Sequence, residues 1–423
     1  MLGEVVLPAR GPIQAASPEM PTMHLPPLSP EQAVKPRRYE LRMSLLFAAM
    51  FLPMGIHLPY FPLWLADRGF SASEVALILS MPIFARIVAA PLITMLADRA
   101  PERANVLIGL AMAAMLFSLG YFLPGDATFV LVMSLVLIVV WSPHGPLADS
   151  LALSGVRRYG ADYSRMRIWG TISFLAANLA GGAILERYGP GVVPALLTGG
   201  LACMAMISLL SPRLGRPRKA SQLSAADFPG AGRVLSDPVF LAIVVGGALL
   251  IASHGYLYAF GSIYWRSLGI AADTAGVLWA LMVVAEVVVF FFFRRHFGHL
   301  SPAAILCVSA AAGLIRWSAM PFVWTLGLGL AGFAATQALH GLSTGLAMLG
   351  LQKMIAQSVP EERTGAAQGI AFAANSTGMA IVTLGSGPLF DALGARGFLV
   401  MAVIATAAFA LALVALRLER RGL

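Results

Sequence analysis

From Leu41 to Leu416 the chain alternates long apolar stretches with short polar turns. A helix needs roughly 20 apolar residues to cross a bilayer. The pattern predicts spans near 42–66, 73–97, 104–123, 128–152, 166–186 and 192–210, and a second set near 238–265, 272–293, 302–319, 322–350, 366–390 and 397–416. Strands of a membrane barrel would alternate polar and apolar residues at every second position, and these uninterrupted runs do not. The expected architecture is all-α and integral to the membrane, with twelve transmembrane helices in two pseudo-symmetric six-helix bundles at 41–210 and 237–416. A linker at 211–236 joins them. Residues 1–40 read as a disordered tail, because eight of the 27 prolines fall in the first 36 residues and no apolar stretch there could serve as a signal peptide. A short tail at 417–423 ends the chain.

The two bundles read as repeats. A shift of 200 residues brings Gly55 onto Gly255, Trp64 onto Tyr264, Gly69 onto Gly269 and Arg86 onto Glu286. Related halves in the same orientation are the signature of transporters built around a central cavity. Basic residues set the orientation. With both termini inside, 23 of the 29 Lys and Arg residues fall in inner segments, and the outer turns hold only Arg68, Arg187, Arg266 and Arg396. This bias predicts a multi-pass protein of a bacterial inner membrane with both termini and the linker in the cytoplasm. It also accounts for the net charge of +9 without any nucleic-acid partner, since the basic loops face an anionic leaflet.

Composition narrows the function. The 423 residues are 58% hydrophobic and 12% charged, with mean hydropathy +0.80; a soluble domain is about 25% charged. None of the three lysines (Lys35, Lys219, Lys353) follows a glycine, so the phosphate-cradling loop of an ATP-driven pump is absent. No His precedes Glu, which removes the HExxH zinc motif. Cys203 and Cys307 lie inside apolar runs and read as buried, inert thiols. No enzymatic activity, cofactor, metal or obligate protein partner is expected.

A charge at the bilayer centre costs about 2.5–3.5 kcal/mol and needs a partner or a task. Arg86, Asp149, Arg167, Glu286 and Arg316, joined by His57, His144, His254 and His340, therefore predict a polar cavity. In Trp141-Ser-Pro143-His144-Gly-Pro146 two prolines should break span 4, and broken backbone at membrane depth belongs beside a cavity or a packed neighbour. Asp149 is read about one turn from the inner end of span 4 and Arg167 about one turn into span 5, a geometry that favours an ion pair. Helical rise places Glu286 and His340 at similar depth, with Arg316 nearer the outer face. Three arginines against two carboxylates suit an anionic substrate.

Here a family resemblance enters. Asp149 and Arg167, with Arg165-Met-Arg167-Ile-Trp169-Gly170, resemble the span 4–5 hairpin of the lactose permease group of the major facilitator superfamily. The chain is similar in more detail to the 3-phenylpropionate transporter family of that superfamily. The likeness runs through Gly55-Ile-x-x-Pro59-x-x-Pro62-Leu-Trp64-Leu, Arg167-Ile-Trp169-Gly170, Ala285-Glu286, Leu314-x-Arg316-Trp317 and Leu339-His340. It covers roughly residues 45–415.

The resemblance implies the major facilitator fold and a proton symporter that imports a small organic solute by alternating access. Its partners would be that solute, protons and the lipid bilayer. The substrate site is expected at Asp149, Arg167, Arg86, His144 and Trp169. Proton coupling is implied for Glu286, His340 and Arg316. The group's second span-10 acid is missing, with Ser343 standing three residues after His340, so galactoside specificity is not implied. An aromatic carboxylate such as a phenylpropionate fits the basic cavity; a sugar, oligosaccharide or nucleoside is the alternative, and drug efflux the third. Leu96-Ala-Asp98-Arg99-Ala-Pro101-Glu-Arg103 resembles the superfamily's loop between spans 2 and 3, which implies gating by Asp98, Arg99 and Arg103.

Other signals are bland. Gly327-Leu-Gly329-Leu-Ala-Gly332 fits GxGxxG but is read inside span 10 as a helix-packing stripe, as are Gly341-x-x-x-Gly345 and Gly365-x-x-x-Gly369. The sequon Asn375-Ser-Thr is buried in a span. Tyr60, Trp64, Tyr256, Tyr258, Tyr264 and Trp265 are read as interfacial anchors at the outer ends of spans 1 and 7, or as a stacking wall there, with His57 and His254 near the same level.

Overall fold

A computed structural model describes residues 34–215, 237–359 and 364–421. The tail up to residue 33 and most of the expected linker lie outside them. The described residues form helices α1 Tyr39–Asp67, α2 Ala72–Ala97, α3 Arg103–Ser118, α4 Ala127–Trp141, α5 His144–Tyr159, α6 Tyr163–Tyr188 and α7 Val193–Ser208. The second series is α8 Pro238–Ala252, α9 Gly255–Ser267, α10 Ala272–His296, α11 Pro302–Ala319, α12 Gly329–His340, α13 Leu346–Ser358, α14 Thr364–Leu393 and α15 Gly397–Arg421. No strand occurs among the described residues, and the protein is an all-helical membrane protein.

Ten helical segments of the described residues are long and apolar enough to cross a membrane, against twelve expected. The difference has two causes. The last segment runs 55 residues and holds both α14 and α15, parted only by a 3-10 turn at Gly394–Arg396. Gly329–Ser358 is not among the ten; it carries the polar residues Gln337, His340, Ser343 and Thr344 at and just before the π-helical turn Gly341–Gly345, between α12 and α13.

Three expected spans are broken, and each break carries a histidine. Pro143 and Pro146 part α4 from α5, and the His144 ring nitrogen Nδ1 lies 2.8 Å from the Trp141 carbonyl oxygen beside the break. Span 7 parts at Ser253-His254 without a proline. There the Ser253 hydroxyl (2.6 Å) and the His254 Nδ1 (2.9 Å) both bond the Leu250 carbonyl, drawing it away from the helical ladder. His340 ends α12 at the π turn. Span 4 also runs further than expected: α5 continues to Tyr159, so Asp149 sits well inside it rather than one turn from its end.

Buried side chains gather in two clusters. One is drawn from Tyr39 to Leu214 with Ala259 and Phe260, the other from Val239 to Ala415. The repeat is visible in their turns. Gly69 and Gly269 both adopt positive φ (84° and 79°), and in both the following amide bonds back to the carbonyl four residues before the glycine, Phe70 to Leu65 and Ile270 to Trp265.

The two halves meet tightly at the end of the bundle away from the chain termini, here the distal end. Arg266 Nη2 lies 3.3 Å from Asp67 Oδ1. The amide of Ala272, at the head of α10, donates to Glu186 of α6 at 2.8 Å, and the Ser73 hydroxyl faces Asp391 at 3.5 Å. Glycines make the approach possible. A Cβ on Gly182 would stand 2.7 Å from the Ala272 carbonyl oxygen, and one on Gly387 would stand 2.7 Å from the Ala72 carbonyl oxygen. These three polar contacts between the halves all lie at this end.

Several expectations are corrected. Tyr60, Trp64, Tyr256, Tyr264 and Trp265 are buried in the protein, so they are not interfacial anchors. Tyr60 donates to the Asn178 carbonyl (2.6 Å) and Tyr256 to that of Gly394 (2.5 Å), which satisfies hydroxyls that have no water to meet. Gly327 lies in the turn before α12 and Gly329 opens that helix, both with positive φ, so they form no packing stripe. Gly369 has nothing within 4 Å of a notional Cβ, so it marks no close contact, whereas Gly341 and Gly345 do abut α10.

Candidate functional site

The second half brings together residues from four spans. The Glu286 carboxylate on α10 lies 3.1 Å from Nε2 of His340 on α12. On the other side of the ring, Nη1 of Arg316 from α11 donates to His340 Nδ1 at 2.8 Å, while Nη2 donates to Gln337 Oε1 at 2.6 Å. Arg316 lies over the Trp317 ring, 4.5 Å from its centroid, and is 0% exposed. Arg316, three residues from the Ala319 end of α11, reaches this cluster through its long side chain. Glu286 is the member open to its surroundings, its side chain 23% exposed against 4% for His340.

Small residues allow this assembly. Gly341 packs its bare Cα onto the Ala285 carbonyl, and a Cβ on Gly345 would stand 3.2 Å from the Phe290 ring, so the π turn lies flat against α10. The turn then points Ser343 and Thr344 at His254, whose Nε2 is 2.9 Å from Thr344 Oγ1 and 3.3 Å from Ser343 Oγ. The His254 and His340 rings sit 5.1 Å apart edge to face. His254 therefore belongs to this cluster and not to an outer gate. Gln337, Thr344 and Ser343 were not singled out for this role by the sequence. A histidine in an apolar run without proline was the one available signal for His254, and nothing in its spacing pointed to span 10.

In the first half the expected Asp149–Arg167 ion pair does not form. Asp149 accepts instead from the Tyr163 hydroxyl at 2.8 Å, and that hydroxyl also interacts with Arg167. Tyr163 thus stands between the two. Arg167 lies over the rings of Phe51 (4.1 Å) and Phe47 (5.5 Å) on α1 and makes no ion pair among the described residues. The physical reason follows from the helix ends: α5 runs on past Asp149 by ten residues, so the two side chains are not level across the turn.

The remaining expected residues scatter. His144 is buried against the first half's core, its Nε2 without a partner, and does not line an open site. Arg86 on α2 is part-buried with an unpartnered Nε. Trp169 is half-exposed on α6. In the loop segment, Asp98 caps α2 and is exposed like Arg99. Arg103 turns inward, 1% exposed, donating to the hydroxyls of Ser150 and Ser154 on α5. Cys203 and Cys307 are free and part-buried, and among the described residues no three His, Cys, Asp or Glu are grouped to hold a metal.

Comparison with known proteins places this geometry. The profile of the MFS_1 like family matches residues 40–401. The chain belongs to this family. A protein of Escherichia coli (strain K12) named "Probable 3-phenylpropionic acid transporter" is 29% identical over 86% of this chain and 94% of its own length. A maltose permease of Geobacillus stearothermophilus is 26% identical over 72% of this chain and 75% of its own. Among solved structures, a mutant form of the nucleoside transporter NupG superposes with TM-score 0.79 at 15% identity, covering 90% of this chain and 99% of that one. A bacterial homologue of the lysosomal transporter Spinster, inward-facing and unoccupied, gives 0.68 at 15% identity over 90% and 98%. At these identities the structural likeness speaks for the fold. This MFS_1 like protein is thus a multi-pass membrane protein and a secondary transporter of small molecules, not an enzyme.

Proposed function

We propose that this chain is a proton symporter that imports an aromatic carboxylate, of the phenylpropionate class, across a bacterial inner membrane, with both termini in the cytoplasm. The bundles at 41–210 and 237–416 act as the halves that rock. The carrying observation is the joined set of Glu286, His340 and Arg316. A carboxylate beside a hydrogen-bonded imidazole, in a largely dry surrounding, is a group that can hold a proton or release it as the cavity changes sides. Arg167 supports the anionic substrate, since its guanidinium is part-exposed, committed to no carboxylate among the described residues, and seated on two phenyl rings. A substrate carboxylate would pair with that fork while its aryl group lies near Phe51. In this orientation the distal seam faces outward, so the closed end is the outer one.

Lightly buffered cells expressing the protein, given an arylpropionate, a disaccharide and a nucleoside in turn, test the reading. Alkalinisation of the medium with the arylpropionate alone is expected. Alkalinisation with a disaccharide or nucleoside alone overturns the substrate class, and arylpropionate uptake without alkalinisation overturns proton symport.

A further inference from the structure

The hydrogen bonds around His340 have a direction, and it is imposed from both ends. Arg316 can only donate. Its Nη1 is 2.8 Å from His340 Nδ1, so that nitrogen presents its lone pair, and the single ring proton sits on Nε2, facing Glu286 at 3.1 Å. A second proton on Nδ1 would set N–H against N–H. At the other end, the Leu250 carbonyl can only accept, so His254 carries its proton on Nδ1 and turns a bare Nε2 to Thr344. The Thr344 hydroxyl, 2.9 Å away, must donate to it. Ser343, the other hydroxyl near Nε2, is within reach of the His340 carbonyl instead. Thr344 Oγ1 also lies 3.4 Å from His340 Nδ1, close enough to compete with Arg316 for that lone pair if its proton were free to turn.

We infer that His254 is a positioning residue for the proton site: by holding the Thr344 proton it leaves His340 Nδ1 to Arg316, which keeps His340 neutral and makes it a fixed donor to Glu286. The proton carried in each cycle then resides on Glu286 and never on His340. This rests on the coupling role proposed above for Glu286. The charged and titratable groups facing the pair from neighbouring helices are Arg316, His254 and Tyr258.

Two measurements test it. Nitrogen-15 spectra of histidine-labelled protein, with His254 assigned through His254→Phe, are expected to show His340 as the Nε2–H and His254 as the Nδ1–H tautomer across about pH 5–8. Imidazolium at His340 within that range overturns the inference without any functional assay. In vesicles, His254→Phe is expected to cut proton-driven accumulation about tenfold, the scale of one lost hydrogen bond, while counterflow exchange persists. Thr344→Val removes the competing hydroxyl, so it is expected to accumulate near the wild-type level, and His254→Phe added to it to cause no further loss. Losses that multiply in the double variant would mean that His254 does not act through Thr344. Should His254→Phe fail to fold, His254→Gln keeps an acceptor for Thr344 and is expected to retain accumulation; its loss together with retained exchange would also overturn the inference. Accumulation that survives Glu286→Gln would instead remove the coupling reading, whatever the tautomers prove to be.

Discussion

Gly182→Ala is expected to open the distal end. A Cβ there would stand 2.7 Å from the Ala272 carbonyl oxygen, 2.7 Å from the Tyr60 hydroxyl and 3.0 Å from the Asp273 Cα, where ordinary contact begins at 3.4 Å. Two of those atoms are backbone in the first turn of α10, and the third is held to the Asn178 carbonyl at 2.6 Å, so none yields easily. Forcing a methyl against the α10 backbone costs about 1–3 kcal/mol. A central figure of about 2 kcal/mol corresponds to roughly a 30-fold shift in population. The clash with the α10 backbone exists only where α6 and α10 touch, so it falls on the distal-closed state alone, whereas the Tyr60 clash lies within the first half and is common to both states. The gain in helix propensity, up to about 1 kcal/mol, is common to both states and cancels. Spin labels at Arg187 and Ser267, near the distal ends of α6 and α9, in a background with Cys203 and Cys307 replaced by Ser, read this directly. The short-distance population should lose most of its weight to a longer one. An unchanged distance distribution in a folded variant would refute the reasoning.

Three further outcomes are expected. Glu286→Gln should abolish accumulation against a gradient while leaving counterflow exchange, measured in the same vesicles. Arg167→Ala should weaken arylpropionate binding by about ten- to a hundredfold, the range for a lost hydrogen bond to a charged group, and Arg167→Lys should recover only part of it because the ammonium cannot form a two-pronged contact; titration calorimetry on purified protein decides this. Arg266→Ala should change the distal-closed population little, by well under about 1 kcal/mol, because both partners are solvated (51% and 39% exposed) and salt screens them. A large effect in the spin-label distances would show that the ion pair matters more than its exposure implies.

Most helix positions were legible because lipid enforces one rule on every span: about 20 apolar residues with backbone bonds satisfied internally. The differences arise where tertiary packing sets the end of an element. In span 4, α5 runs on to Tyr159, with Gly155 packed against the Tyr39 ring and Arg158 bonded to the Leu214 carbonyl. The Glu286–His340 approach was legible from helical rise, which fixes depth. Asp149 was matched to Arg167 because the end of span 4 was placed too early, and Tyr163 intervenes. Depth says nothing about azimuth, which is what brings the Arg316 side chain onto His340. Azimuth is set by which small residues let helices touch, and those choices involve pairs of helices distant in sequence, such as Gly341 against Ala285. His254 illustrates the same gap, since its break has no proline to announce it and its partners lie 89 and 90 residues on.

Helix α10 begins at Ala272 without a side-chain cap of its own, and Glu186 of the other half supplies one. That carboxylate leaves when the distal end parts, and the Ala272 amide must then be met by solvent. Opening therefore takes up water at a defined place, along with the water that enters the parted seam. An excluded osmolyte such as sucrose raises the cost of wetting protein surface and should hold the carrier distal-closed. The osmotic strength of the medium on that side then becomes a thermodynamic variable of the transport cycle, alongside the substrate gradient.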